Sequence, residues 1–187
     1  MLNSKQGKQL MELARKAIVS SFDNKTIQDY DINVDKQLKE KSGAFVTLTL
    51  NGDLRGCIGF IGPIMPLYKA VIEAARAAAF EDPRFHPLTK EELDELKIEI
   101  SVLTKPEEIK EKGEDIIKEI EVGKDGLIVE YSGFSGLLLP QVASENKWDA
   151  EHFLEQACVK AGVSPKSWKN KSCKIHKFQV QIFSENP

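Results

Sequence analysis

Hydrophobic and polar residues follow two different periods along the first half of the chain. Across Ser4–Asp23 the apolar side chains recur every three or four residues, which predicts an amphipathic helix. Two runs rich in β-branched residues then flank Asn51-Gly52, a dipeptide typical of a tight β-hairpin. The Ala-rich segment Leu67–Phe80 returns to helical spacing.

The second half also mixes helical and strand periods. A capped short helix is predicted after Thr89, followed by a half-buried strand, Lys97–Leu103, and a charged surface loop or helix, Lys105–Glu121. The runs GLIVEY and GLLLPQV then predict a hairpin across Ser132–Gly136. The last predicted elements are a helix, Trp148–Ala161, and a strand, Cys173–Phe183. Strict βαβ alternation is absent. The pattern therefore predicts an α+β fold with an antiparallel or mixed β-sheet flanked by helices. It also predicts a single domain over residues 1–187, which two lobes of unequal size could share.

Composition narrows the class of protein. The 187 residues carry a formal net charge of -3, and 41% of them are hydrophobic, as is usual for a globular domain. No apolar run approaches the about 18 residues that a membrane span needs. The cysteines Cys57, Cys158 and Cys173 lack the CxxC spacing of a zinc site. We therefore predict a cytoplasmic protein with reduced cysteines and no metal site. The sequence does not indicate a cofactor or an oligomeric state.

The segment Leu54–Gly59, LRGCIG, has an unusual composition for a strand. Gly56 and Gly59 flank Cys57 and leave its thiol unscreened, and glycines inside a strand often mark a close backbone approach. Arg55 lies two residues from Cys57, on the same face of the strand, where a guanidinium would stabilise the thiolate. The alternative interpretation is that Cys57 is a small buried hydrophobic residue, as most free cysteines are.

This segment also carries a resemblance to a known family. LRGCIG after an NGD turn resembles the hallmark of the AMMECR-one family, whose prokaryotic members are called AmmeMemoRadiSam system protein A. Further blocks resemble that family in order along most of the chain, namely Asp82-Pro83-Arg84-Phe85, Glu99–Leu103, Gly123–Leu127 and Leu138–Ala143. The resemblance implies a compact intracellular α+β domain whose biochemical activity is not established. It also implies association with a Memo-like protein and a radical SAM protein, without naming a reaction.

The polar residues of these blocks form the candidate site. The predicted catalytic residues are Cys57 as nucleophile or redox centre, with Glu99 or Asp82 as general base, and the predicted substrate-binding residues are Arg55, Gly56, Arg84, Ser101 and Gln141. If they converge, they form a pocket for a small molecule or a peptide to be modified. The alternative is an internal network of ion pairs. In either case Arg55 should pair with Glu99 or Asp82, because a guanidinium cannot lose its charge on burial.

Two non-enzymatic functions compete with this hypothesis, so the sequence leaves open whether the protein is an enzyme. One is a module that binds a partner protein through an apolar patch around Ile58, Phe60 and Ile61. The other is a nucleic-acid binder that uses Lys160–Lys177, a segment with six lysines and no acid. The overall negative charge and the acidic stretch Glu91–Glu121, which could balance these lysines, weigh against nucleic acid.

Overall fold

The computed structural model describes residues 1–23 and 33–185. These residues form four α-helices and seven β-strands. The strands pair antiparallel, so the predicted α+β class is confirmed. The chain divides into unit 1, Met1–Leu103 with Gln181–Pro187, and unit 2, Thr104–Val180. Each unit has its own cluster of buried apolar side chains. That residues 1–187 act as a single domain stays a prediction.

Unit 1 begins with helix α1, Ser4–Ser21, whose start is fixed by a reciprocal cap between Asn3 and Gln6. Its buried face includes Leu10 and Ile18, as the three-and-four spacing predicts. Helix α2 spans Leu67–Phe80, the segment predicted from its spacing, and all its alanines except Ala77 are buried in the same core. Because alanine side chains are small, the backbone of α2 can lie close to the strands beside it.

The strands of unit 1 are β1, Ala44–Leu50, β2, Asp53–Phe60, and β3, Leu96–Leu103. Their order is β2-β1-β3, so β2 is an edge strand. The predicted hairpin is confirmed: Asn51 and Gly52 connect β1 to β2 with φ of 52° and 90°, the left-handed values of a type I′ turn. The last strand of the chain, β7, Lys174–Ser184, is divided between the units: its residues 181–184 belong to unit 1, and β7 follows β3 in the strand order.

Gly56 in β2 is required by the packing of α2. A Cβ atom at Gly56 would lie 2.1 Å from the backbone oxygen of Ala78, so helix and strand meet with no room for a side chain. The register of the hairpin also shifts next to this glycine. Leu48 faces Gly56 while Thr49 faces Leu54, which leaves Arg55 as the extra residue of a β-bulge. A bulge re-aims a side chain, and here the side chain is Arg55.

Unit 2 contains the second hairpin. The structure gives strands β4, Glu107–Glu108, β5, Asp125–Tyr131, β6, Phe134–Leu138, and β7, Lys174–Ser184, with helices α3, Pro140–Glu145, and α4, Ala150–Lys160. The predicted hairpin is confirmed, but its second strand begins and ends earlier in the chain than the sequence predicts. That strand begins at Phe134, and Pro140 starts α3, because proline suits the first turn of a helix, where its missing N–H costs nothing.

The remaining elements of unit 2 cover its core. The charged segment after β3 forms β4 and a short 3-10 helix, Gly113–Glu119, which buries Ile116. Trp168 is 1% exposed in the core, although it stands among lysines in the sequence. No helix within the described residues is long and apolar enough to cross a membrane.

Candidate functional site

The LRGCIG motif occupies most of β2, and at Cys57 the outer edge of that strand binds side chains instead of another strand. The Cys57 N–H donates to Oδ2 of Asp82 at 2.9 Å, and the Cys57 C=O accepts from Nη2 of Arg84 at 3.3 Å. A carboxylate and a guanidinium therefore stand where the C=O and N–H of a neighbouring strand would be. This closes an edge that would otherwise be open to pairing.

Asp82 is the most constrained of the predicted site residues. Its side chain is 2% exposed, and its Oδ1 also accepts from the backbone N–H and Nε of Arg84 at 3.1 and 3.0 Å. Its Oδ2 accepts from Nη2 of Arg84 at 2.7 Å. The hydrogen bonds from Arg84 hold the pKa of this carboxyl well below its usual range, against the opposing effect of burial. Both oxygens of Asp82 are thus engaged, which favours an anchor over the predicted general base.

The loop that carries Asp82 is shaped by Pro83 and Pro87, which both follow Asp82 in the chain. Helix α2 ends at Phe80, and Pro83 disfavours helical geometry in the residue before it. The Asp82 C=O then accepts from the N–H of Phe85, and the Leu88 N–H donates back to Ala79 at the end of α2. The loop is therefore tied to the helix at both ends. This fixes the position of its polar side chains beside β2.

The thiol of Cys57 is partly exposed and has one described hydrogen-bond partner, Thr47 on β1. The Thr47 hydroxyl donates to Sγ at 3.4 Å. The other two cysteines are buried in unit 2. Burial raises the pKa of Cys158 to about 11 and raises the pKa of Cys173 in the same direction. Cys57 is therefore the thiol that solvent and reagents reach first.

Glu99 and Ser101 lie on β3, two strands away from β2. Thr47 faces both Cys57 and Glu99 in register, so these three form a row across one face of the strands. Adjacent strands are about 4.8 Å apart, which separates the Cys57 and Glu99 backbones by roughly 10 Å. Ser101 is 2% exposed and belongs to the next row, opposite Phe45. Sequence reasoning missed Thr47, although the alternation in AFVTLTL places it on this face.

Arg55 pairs with Glu92. Its Nε donates to Oε1 of Glu92 at 2.7 Å and its Nη2 donates to Oε2 at 3.1 Å, a bidentate pair. The Arg55 hydrogen bonds lower the pKa of Glu92. The sequence named Glu99 or Asp82 as the partner, and that assignment was wrong: Asp82 pairs with Arg84. Glu92 lies in the capped short helix that the sequence predicts after Thr89, and this cap is confirmed, since the Glu92 Oε2 also accepts from the Thr89 N–H.

A surface cleft of about 560 Å³ opens beside this cluster. Its walls are Arg55, Pro83, Arg84, Phe85 and His86. The guanidinium carbons of Arg55 and Arg84 lie 6.0 and 5.3 Å from the centre of the Phe85 ring, so both cations meet one aromatic surface. Each guanidinium is also held by a carboxylate. The cleft thus presents two fixed cations next to an apolar ring.

Of the predicted residues, the structure brings Cys57, Asp82 and Arg84 into direct hydrogen-bonded contact, and Arg55 shares the cleft with Arg84. Gly56 allows α2 to pack closely against β2. Gln141 belongs to unit 2, as the second residue of α3. Its buried Oε1 accepts no hydrogen bond from the residues that the structure describes. Across residues 1–23 and 33–185, no group of three or more His, Cys, Asp or Glu side chains is placed to hold a metal ion.

Comparison with known proteins accounts for the order of the motifs. The family model described as AMMECR1 matches residues 11–183. A protein of Thermococcus gammatolerans is 49% identical over 96% of this chain and 90% of its own length. A protein of Saccharolobus islandicus is 50% identical over 98% of this chain and 83% of its own length.

A solved structure is also similar to this chain. The crystal structure of an uncharacterised protein from Pyrococcus horikoshii matches with a TM-score of 0.92 and 45% identity, over 99% of this chain and 94% of that chain. Sequence and fold agree along nearly the whole length. The chain therefore belongs to the AMMECR1 family.

Proposed function

We propose that the cleft beside β2 binds an anionic group of a small molecule or peptide, and that Cys57 is the reactive residue of this site. The observation that carries the proposal is the pair of guanidiniums, Arg55 and Arg84, on either side of Phe85 in an open cleft. Arg84 has a side chain that is 53% exposed, so it can still bind a ligand while it holds Asp82. A carboxylate or phosphate fits the fork of a guanidinium.

Each residue then has a role in this proposal. Arg55 and Arg84 bind the anion, and Glu92 and Asp82 hold the two guanidiniums in fixed orientations. Cys57 is the reactive thiol beside the bound anion, and Thr47 donates a hydrogen bond to its Sγ. Glu99 is the candidate general base, on the same face of the strands, for a substrate that covers the Thr47 row. The competing interpretation is a structural network in which these groups only fasten the loop to the strand.

A ligand-binding experiment separates the two interpretations. Thermal shift and calorimetric titration with phosphate, citrate and a glutamate-rich peptide should show saturable binding to the wild type. Arg84→Gln should weaken this binding about tenfold or more, because one charge-assisted contact contributes about 1.5 to 3 kcal/mol. The matched control is Arg76→Gln, since Arg76 is an exposed arginine of unit 1 that also pairs with two acids but does not line the cleft. Equal binding by both variants would refute the anion site.

A second proposal is that the protein binds the Memo-like and radical SAM proteins that the resemblance implies. Exposed apolar side chains close to the motif favour it. Leu54, at the start of the motif, and Ile61 and Ile64, which follow β2, are 44%, 39% and 62% exposed. Exposed apolar side chains close to a functional motif suit a protein contact. The expected patch differs in composition, because Ile58 and Phe60 pack against the core of unit 1. Titration with a Memo-like protein tests this proposal. Ile64→Ser should abolish binding, whereas Val19→Ser, which removes an exposed apolar side chain from α1, should not.

A cytoplasmic location is part of the same proposal. All three cysteines are free, as in a reducing compartment, and a reactive Cys57 would need such an environment to stay reduced. Fractionation of cells that produce the protein would test this.

A further inference from the structure

A second cleft, of about 430 Å³, lies in unit 2 at the tip of the β5–β6 hairpin. Tyr131, Phe134, Ser172 and Lys174 are among its walls. Phe134 is 57% exposed, an unusual position for a phenylalanine that heads a strand. This cleft is independent of the Cys57 site, since its residues all belong to unit 2.

The aromatic wall of this cleft is held in place by hydrogen bonds. Asn170 donates from Nδ2 to the Tyr131 hydroxyl at 3.0 Å. The Asn170 Oδ1 in turn accepts from the backbone N–H and hydroxyl of Ser172 at 3.0 and 2.9 Å. The ring of Tyr131 is thereby fixed to the segment that leads into β7. Tyr131 and Phe134 face each other in register across the hairpin, so two aromatic residues stand at its tip.

One lysine lines the same cleft, and two more are close to its wall residues. Lys174 lines it and Lys171 adjoins Ser172 in the chain. Lys160, at the end of α4, packs against β6: a Cβ atom on Gly136 would lie 2.7 Å from the Lys160 carbonyl carbon. Gly136 itself follows Ser135, another wall residue.

The lysines of this region fall into two groups. Lys169 pairs with Glu114 and Glu151, and Lys177 pairs with Glu119, so acids partly neutralise the basic segment as its sequence predicts. Within the described part of the chain, no carboxylate pairs with the exposed residues Lys160, Lys166, Lys171 or Lys174.

We propose that this cleft binds single-stranded nucleic acid, with a base stacked on Phe134 and the neighbouring phosphates bound by Lys171 and Lys174. Exposed aromatic rings bordered by cations are how proteins bind single strands without sequence preference. An acidic peptide would use the lysines but would leave the ring without a partner. Glu130 also lines the cleft and faces Lys174 in register, so it opposes phosphate and limits the affinity. Binding should therefore be weak and steeply salt-dependent.

Fluorescence anisotropy with labelled oligo-dT and oligo-rU of about 12 nucleotides tests the proposal. We expect dissociation constants of the order of 10 µM at about 50 mM salt. Phe134→Ala should weaken binding about tenfold, and Glu130→Gln should strengthen it. The double variant Lys171→Glu/Lys174→Glu should weaken binding more than tenfold and flatten its salt dependence. The matched control, Lys118→Glu/Lys124→Glu, makes the same charge change in unit 2 at residues outside the cleft and should bind nearly as the wild type does.

Other results would overturn the proposal. Equal losses in both double variants would show only general attraction between charges. Equal affinity for a duplex, with no effect of Phe134→Ala, would remove the stacking site. Tighter binding of a labelled polyglutamate that is lost in Lys171→Glu/Lys174→Glu and kept in Arg84→Gln would assign the cleft to an acidic peptide instead. None of these results bears on the anion site of unit 1, which is tested by Arg84→Gln.

Discussion

The two units use cysteine and charge in opposite ways. In unit 1 the charged side chains near the motif are paired and held, Arg84 by Asp82 and Arg55 by Glu92, while the thiol of Cys57 remains open to solvent. In unit 2 both thiols are buried in the apolar core, and lysines around the hairpin tip have no acidic partner among the described residues. Fixed charges beside a partly exposed thiol fit the preorganised site proposed for unit 1. Free lysines beside an exposed ring are typical of a loose electrostatic contact.

The largest expected difference between the units is in thiol reactivity. Under native conditions an alkylating reagent should label Cys57 more than about a thousandfold faster than Cys158, because a buried thiol reacts only after the unit opens. The raised pKa of Cys158, about 11, slows its reaction further. Peptide mapping after timed labelling measures this. Thr47→Val should lower the Cys57 rate about threefold through loss of the hydroxyl donor. Faster labelling of Cys158 would end the role proposed for Cys57.

Removal of the Asp82 anchor should cause the largest loss of stability. Asp82→Ala leaves the Cys57 N–H and the Arg84 guanidinium without their carboxylate, and we expect the free energy of unfolding to fall by about 3 kcal/mol. Denaturant melts measure the change. The matched control is Asp115→Ala, because Asp115 forms a pair with Lys118 that is fully exposed in unit 2 and should contribute nothing measurable. Similar melts for both variants would show that Asp82 does not fasten the edge of β2.

The Arg55–Glu92 pair should show coupling of a smaller size. Arg55→Ala and Glu92→Ala should each cost about 1 to 2 kcal/mol, since both side chains are largely buried and doubly hydrogen-bonded. The double variant should be less than additive by about 1 kcal/mol. A double-mutant cycle from denaturant melts gives this coupling. Strict additivity would show that the two side chains act independently, and the cleft would lose the support proposed for Arg55.

The response of unit 1 to acid tests the same two paired carboxylates without mutation. Pairing with Arg84 and Arg55 lowers the folded-state pKa of Asp82 and Glu92, so each carboxylate stabilises the fold fully above its unfolded pKa. Stability should therefore fall as the pH drops below about 4 and continue to fall toward the lower folded-state values. Chemical melts between pH 7 and strongly acidic pH should show a shallower decline in Asp82→Asn than in the wild type. An unchanged slope would place the acid sensitivity elsewhere.

Much of the fold followed from short-range signals in the sequence. The spacing of Leu67–Phe80 predicted α2, and Asn51-Gly52 predicted the first hairpin, because both depend on residues close together in the chain. The Leu138–Val142 segment was predicted less well, since an apolar run does not show where a strand gives way to a helix. The sequence left open whether the LRGCIG and DPRF blocks converge, and in the structure Asp82 and Arg84 contact the backbone of Cys57.

Only the tertiary structure decided which groups meet. The sequence determined that Arg55 needs an acid, because a guanidinium keeps its charge, but the β-bulge and the loop after α2 decided that this acid is Glu92. It determined that Cys57 and Glu99 lie on strands, but the strand register placed Thr47 between them. Secondary structure depends on neighbours a few residues apart, whereas partners 37 residues apart, such as Arg55 and Glu92, depend on how whole elements pack.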